Sequence, residues 1–167
     1  MSEQSTTPDP IMQRIAVAMS LGQRDDRDGA RAALREVWDE LGEDGDSFHR
    51  CVVAHFLADV TADAEEELVW DLRALAAARE TSDERAKAHH ASLTIAGFFP
   101  SLHLNLADVL RRLGRFDEAA EHAESASARI DVLPEDDYGT GLHEALVEVT
   151  AMIAARDTTA RDSAPGA

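Results

Sequence analysis

From Pro10 to about Arg156 the apolar residues return every three or four positions, and nowhere do they alternate one by one. Spacings of three and four place side chains on one face of a helix, whereas a half-buried strand needs a period of two. That pattern leaves no room for a sheet and predicts an all-α chain. Composition agrees. Hydrophobic residues make up 44% but aromatics only 5%, so the core must be built from Leu, Val, Ile and Ala. Such side chains suit closely packed helices better than strands. At 167 residues the chain is long enough to bury one core.

Residues 1–9 and 157–167 carry no periodic pattern and are expected to be disordered tails on a single helical domain, 10–156. Pro10 suits the first turn of a helix that ends at Gly22. Ala30, Leu34 and Val37 share a face in a second helix, which stops at Gly42. Val52, Phe56 and Val60 form a stripe in a third. Asp63 with Glu66, and Thr81 with Glu84, have the spacing of capping boxes. The first box opens a helix with Leu68, Leu72 and Leu75 inward, and the second a helix over 83–97. A proline inside a helix costs about 3 kcal/mol, so Pro100 and Ser101 are expected to start a new one. Gly114 turns the chain, 116–130 brings it back, and "LPEDDYGTG" reads as a loop. Leu142, Leu146, Val149 and Ile153 then face inward from a last helix. The count is eight helical segments, or seven if Pro100 only kinks.

Leu104 to Ala123, "LNLADVLRRLGRFDEAAEHA", has a fainter copy beginning 49 residues earlier, "HFLADVTADAEEELVWDL", with Asp59 in register with Asp108. The longer stretch "HLNLADVLRRLGRFDEAAEHAESA" resembles a tetratricopeptide repeat (TPR). Leu106-Ala107 stand where that family has Leu-Gly, Leu110 at its following aromatic, and Gly114 at its turn. Phe116 is the aromatic after the turn, and Ala119 and Ala126 are the two marker alanines. His103 replaces the usual first Trp, and the closing proline comes late, as Pro134. One good repeat (about 101–134) is thus joined by two degenerate ones. The first keeps Leu57-Ala58 and Asp63, with Leu68 and Leu75 at the alanine positions. The second keeps Ala30, Leu34 and Val37. The resemblance implies a TPR-like right-handed superhelix of antiparallel helix pairs, closed by a C-terminal capping helix. It also implies a concave face for partner peptides, carrying His55, Asp59, Ser101, Leu104, Asn105, Asp108, Arg111 and Arg112. The Arg111-Arg112 pair does not match the basic clamp by which some TPR domains hold a terminal carboxylate.

Charge narrows the partners. Sixteen basic residues against 33 acidic ones give −17, which repels phosphate backbones and anionic lipid. No nucleic-acid or membrane partner is expected, and no apolar stretch is long enough to span a bilayer. Cys51 is the sole cysteine, so an internal disulfide is impossible and a reducing compartment suits the chain. The opening "MSEQSTTPDP" lacks the charged and apolar regions of a signal peptide. A cytoplasmic location is the expectation.

No chemistry-bearing motif stands out. There is no Gly-rich phosphate loop, no Gly-x-Ser-x-Gly and no His-Glu-x-x-His, so neither catalysis nor a cofactor is expected. Gly139 to Gly141 reads as a turn, and Trp38, Trp70, Phe98 and Phe99 as packing residues. Cys51, His55 and Asp59 form a ridge at i, i+4 and i+8, and His89, His90 and His103 lie on later helices. Imidazole with thiolate or carboxylate is zinc chemistry, but two ligands on one helix make half a site. Two readings follow: a protein- or peptide-binding scaffold without catalysis, and alternatively a small-molecule or metal-binding helical domain using histidines on the concave face.

Overall fold

The computed structural model describes residues 9–85 and 95–162, and these are all-helical, without strands. Seven α-helices follow one another: α1 (Pro10–Gly22), α2 (Arg27–Leu41), α3 (Ser47–Val60), α4 (Ala64–Glu80), α5 (Phe99–Arg112), α6 (Phe116–Ser127) and α7 (Asp137–Ala154). Short 3-10 turns, Ile95–Gly97 and Ile130–Val132, precede α5 and follow α6. Asp83–Arg85 begin a further helical turn. The rest of the helix expected over 83–97, with His89 and His90, lies largely outside the described residues.

Aspartate starts the helices. Asp9, Asp26, Asp46, Asp63 and Asp136 each accept a backbone N–H of the first turn they precede, a bond whose loss typically costs about 1 kcal/mol. The Asp63 cap is the expected one, but Glu66 does not reach back to complete a box; it pairs instead with Arg35 of α2. At the second site the capping residue is Ser82, which accepts the Arg85 N–H at 3.2 Å. Thr81 turns its hydroxyl back to the Ala77 carbonyl at 2.8 Å. α5 has Pro100 in its first turn, where a missing N–H costs nothing. Gly114 sits at φ +76° between α5 and α6, a conformation that favours glycine.

Helices pack with their neighbours in the chain. α1 lies on α2, α3 on α4 and α5 on α6; α2 then packs on α3, α4 on α5, and α6 on α7. Small residues permit the close approaches: Ala107, Ala119 and Ala126 are fully or almost fully buried. The other repeat positions go inside as well, with Ala30, Leu34, Val37, Leu57, Ala58, Leu68 and Leu75 all buried. Trp38 and Trp70 meet edge to face with centroids 5.2 Å apart, and the Arg73 guanidinium lies over Trp70. Leu72, expected inward, is 48% exposed. It stands one helix step outside the stripe of Leu68, Trp70, Ala74 and Leu75.

The end of the chain departs most from expectation. α7 begins at Asp137, so the residues Asp137 to Gly141 of "LPEDDYGTG" form its first turn rather than a loop. Leu146, Val149 and Ile153 are buried as expected. α7 packs on α5 as well as on α6, and the segment after it folds back. Arg161 is buried against Glu148, and Asp157 and Thr159 are tied to α5. Residues 157–161 are therefore part of the packed structure.

Candidate functional site

Polar side chains gather where α3, α4 and α5 meet. His55 and Asp59 come from α3, Glu67 and Asp71 from α4, and Asn105, Asp108, Arg111 and Arg112 from α5. Helical spacing explains the grouping: each of these pairs is three or four residues apart on its helix, so it shares a face. Asn105 donates from Nδ2 to His55 Nδ1 at 3.4 Å. The other ring nitrogen, His55 Nε2, faces Asp59 Oδ2 at 4.0 Å. Arg112 holds Glu67 at 2.5 Å and reaches Asp108 at 3.5 Å. Arg27 of α2 donates to the Asp59 backbone carbonyl at 3.0 Å.

Burial governs the charges here. Asp59 is pushed above the ordinary carboxylate range by loss of water, with His55 and Arg27 drawing it partly back. Glu67 is raised too, burial again being the main cause, with the Arg112 hydrogen bond opposing and the charges of Asp108 and Asp59 adding. Arg112 is held above its usual value: burial opposes this, but Glu67 and Asp108 outweigh it.

Asp71 is the extreme case. It is 1% exposed, and neither carboxylate oxygen has a hydrogen-bond partner among the described residues. Burial drives it well above the ordinary range, and the nearby charges of Glu67 and Asp59 push the same way. Asn105 lies alongside and draws it slightly back, short of hydrogen-bond geometry. Asp71 and Glu67 were absent from the expected site. Their spacing was visible, but burial of an aspartate on a helix rich in exposed acids leaves no mark in a sequence.

Of the residues expected on a concave face, the structure brings most to this junction without exposing all of them. His55, Asp59, Asn105 and Arg112 are partly exposed, whereas Ser101, Leu104 and Asp108 are buried. Arg111 has no exposed surface at all, which corrects the expectation that it faces solvent. Its guanidinium bonds Asp108 Oδ1 through Nε and Nη2, at 3.2 and 2.6 Å, and the carbonyls of Asp157 and Thr159 through Nη1, at 2.7 and 2.8 Å. The reason is the covering: α7 and the segment beyond it lie over the part of α5 that an open stack would leave bare.

The histidines do not converge. His103 is buried on α5 and its Nδ1 lies 2.9 Å from Nδ1 of His122 on α6. Burial lowers His103 to about 4, with His122, Arg129 and Arg79 adding repulsion. Among the described residues no group of three or more His, Cys, Asp or Glu could hold a metal ion. Cys51 is buried, its thiol pushed up to about 12 by loss of water, which keeps it protonated and unreactive. An open, largely apolar groove of about 830 Å³ runs between α6 and α7, past Ala123, Ile130, Leu146 and Val147.

No described helix is long and apolar enough to cross a membrane. No family model, no curated protein and no solved structure matches the chain. The class it falls in is thus set by its architecture: an all-helical protein in which successive helices pack against one another around a buried polar junction.

Proposed function

We propose that this chain is a TPR-like scaffold that binds a protein or peptide across the junction of α3, α4 and α5, without catalysis of its own. The observation that carries this reading is the rim of that junction. His55, Asp59, Asn105 and Arg112 come from two helices, 46 to 57 residues apart in sequence, and remain part-exposed together. Core packing does not require them there, and helices that pack through small residues would stack as well with apolar ones. The single buried cysteine and the acidic surface suit a cytoplasmic setting.

Cross-linked capture from the native cell, followed by mass spectrometry, tests the reading. Replacing His55 and Asn105 together with alanine truncates two part-exposed side chains of the rim, and circular dichroism with thermal melting checks that the variant still folds. It should weaken capture of the same partners by about tenfold, the usual scale for losing interfacial polar contacts. Undiminished capture by the folded double variant would move the binding surface elsewhere.

A further inference from the structure

We propose that the junction of α3, α4 and α5 seats a cationic side chain, an arginine or lysine carried by a partner polypeptide. In this arrangement Asp59 and Asn105 stand at the rim and Asp71 lies beneath them. The inference rests on the peptide-binding reading above and names the chemistry of the partner.

The argument is one of unbalanced charge. Four carboxylates, Asp59, Glu67, Asp71 and Asp108, face one junction. Arg112 serves Glu67, and at longer range Asp108. Arg111 serves Asp108 and two backbone carbonyls. Arg27 gives a hydrogen bond to the Asp59 backbone, and its charge acts on the carboxylate. That leaves Asp59 with His55 at 4.0 Å, and Asp71 with no hydrogen bond to either oxygen among the described residues.

Asp71 supplies the independent observation. A carboxylate this deeply buried keeps its charge only beside a cation; otherwise it takes up a proton. Asp71 stands one helical turn beyond Glu67 on α4, so the two side chains share the face of that helix that meets the cluster, and Asn105 lies against it. With the rim empty, burial and the charges of Glu67 and Asp59 favour the protonated form of Asp71. A cation arriving at Asp59 lowers the cost of ionising Asp71, and the proton leaves to solvent. The junction thereby couples cation binding to proton release.

The chemistry selects the occupant. Among the described residues no three acidic or histidine side chains come close enough together to hold a metal ion, whereas divalent ions need several oxygens around one point. A guanidinium or ammonium on a flexible stem needs only one carboxylate and an amide oxygen, and its stem can reach a rim that is about a quarter exposed. Asp59 offers the carboxylate at that rim, and the Asn105 amide stands across His55 from it.

The probes are N-acetyl-arginine methylamide and its citrulline counterpart, the same shape without the charge. They are titrated into the full chain at pH 7 and low salt and followed by NMR. The arginine probe should bind about tenfold more tightly than citrulline, and Asp59→Asn should remove most of that difference. Glu121→Gln, on the exposed face of α6, should change binding by less than about twofold, because a screened surface charge contributes little. Calorimetry in two buffers of different ionisation heat should show proton release on binding. The near-isosteric Asp71→Asn variant should fold and abolish that release.

Equal losses from Asp59→Asn and Glu121→Gln would report diffuse attraction by a chain of charge −17 and overturn the seat, as would absence of binding. Unchanged proton release in Asp71→Asn would remove Asp71 from it. A partner captured through this face with no basic residue in contact would overturn the seat and leave the scaffold reading standing. Arginine binding without any captured partner would do the reverse.

Discussion

Arg111 has no exposed surface, yet it carries a full charge and five N–H donors. Four bonds, two to Asp108 and one each to the carbonyls of Asp157 and Thr159, give each of its three nitrogens a partner. Removing one partner of a buried pair leaves the other uncompensated, so Arg111→Ala should cost about 3–5 kcal/mol in urea unfolding. Arg111→Lys should recover only part, because a single ammonium cannot span three separate acceptors. Arg112, its sequence neighbour, is a fifth exposed and pairs across the surface with Glu67. Nothing in the letters Arg-Arg separates the two. The residues that bury Arg111 lie 46 and 48 positions downstream, in a stretch with no periodicity to announce it. The apolar core is different. Leu106 is where helical spacing puts it, fully buried, and Leu106→Ala should cost about 2–5 kcal/mol by the same measurement.

Elements were legible wherever their ends carry local chemistry. Proline at the start of α1 and α5, Gly42 and Gly114 at turns, and Asp63 as a cap are all visible in the sequence and all used. Interactions between elements were not. The pin between α5 and α6 joins His103 to His122, with Phe99 stacked on the first ring, 6.3 Å between centroids. One Nδ1 donates and the other accepts, so the pair needs at least one neutral imidazole. His103 is held down at about 4 by burial, then by His122 and the nearby arginines, against about 6.5 in an unfolded chain. A depressed pKa contributes stability above the unfolded value, and this is lost as pH falls through the folded one. Native His103 stays neutral while the unfolded chain takes up protons, so stability should decline from pH 6.5 towards 4. Carboxylates also titrate near the lower end. The informative quantity is therefore the difference between the native chain and His103→Gln, whose melting temperature should vary less across that window. Parallel curves would mean that the pair contributes nothing through its protonation.

At the scale of the whole molecule, each helix rests mainly on its neighbours in the chain, and the α7 end closes back on α5. Stability in such an arrangement is close to a sum of neighbouring contacts, so an end that is cut exposes the next surface in line. Two truncations separate the two parts of this end. A chain ending at Tyr138 loses α7 and bares the apolar flanks of α5 and α6 around Ala123, Ala126 and Ile130, which the intact protein buries. It should aggregate or elute as large oligomers. A chain ending at Ala154 keeps Leu146, Val149 and Ile153 in place but removes the carbonyls of Asp157 and Thr159 from Arg111. The guanidinium then keeps only Asp108, and water can enter where the segment lay. This form should stay monomeric yet unfold at lower urea, by about 1–3 kcal/mol for charged donors left short of acceptors. Size-exclusion chromatography and urea unfolding read the two effects separately. If the longer truncation matched the full chain in both, residues 155–162 would be no part of the fold's closure, and Arg111 would owe its burial to α7 alone.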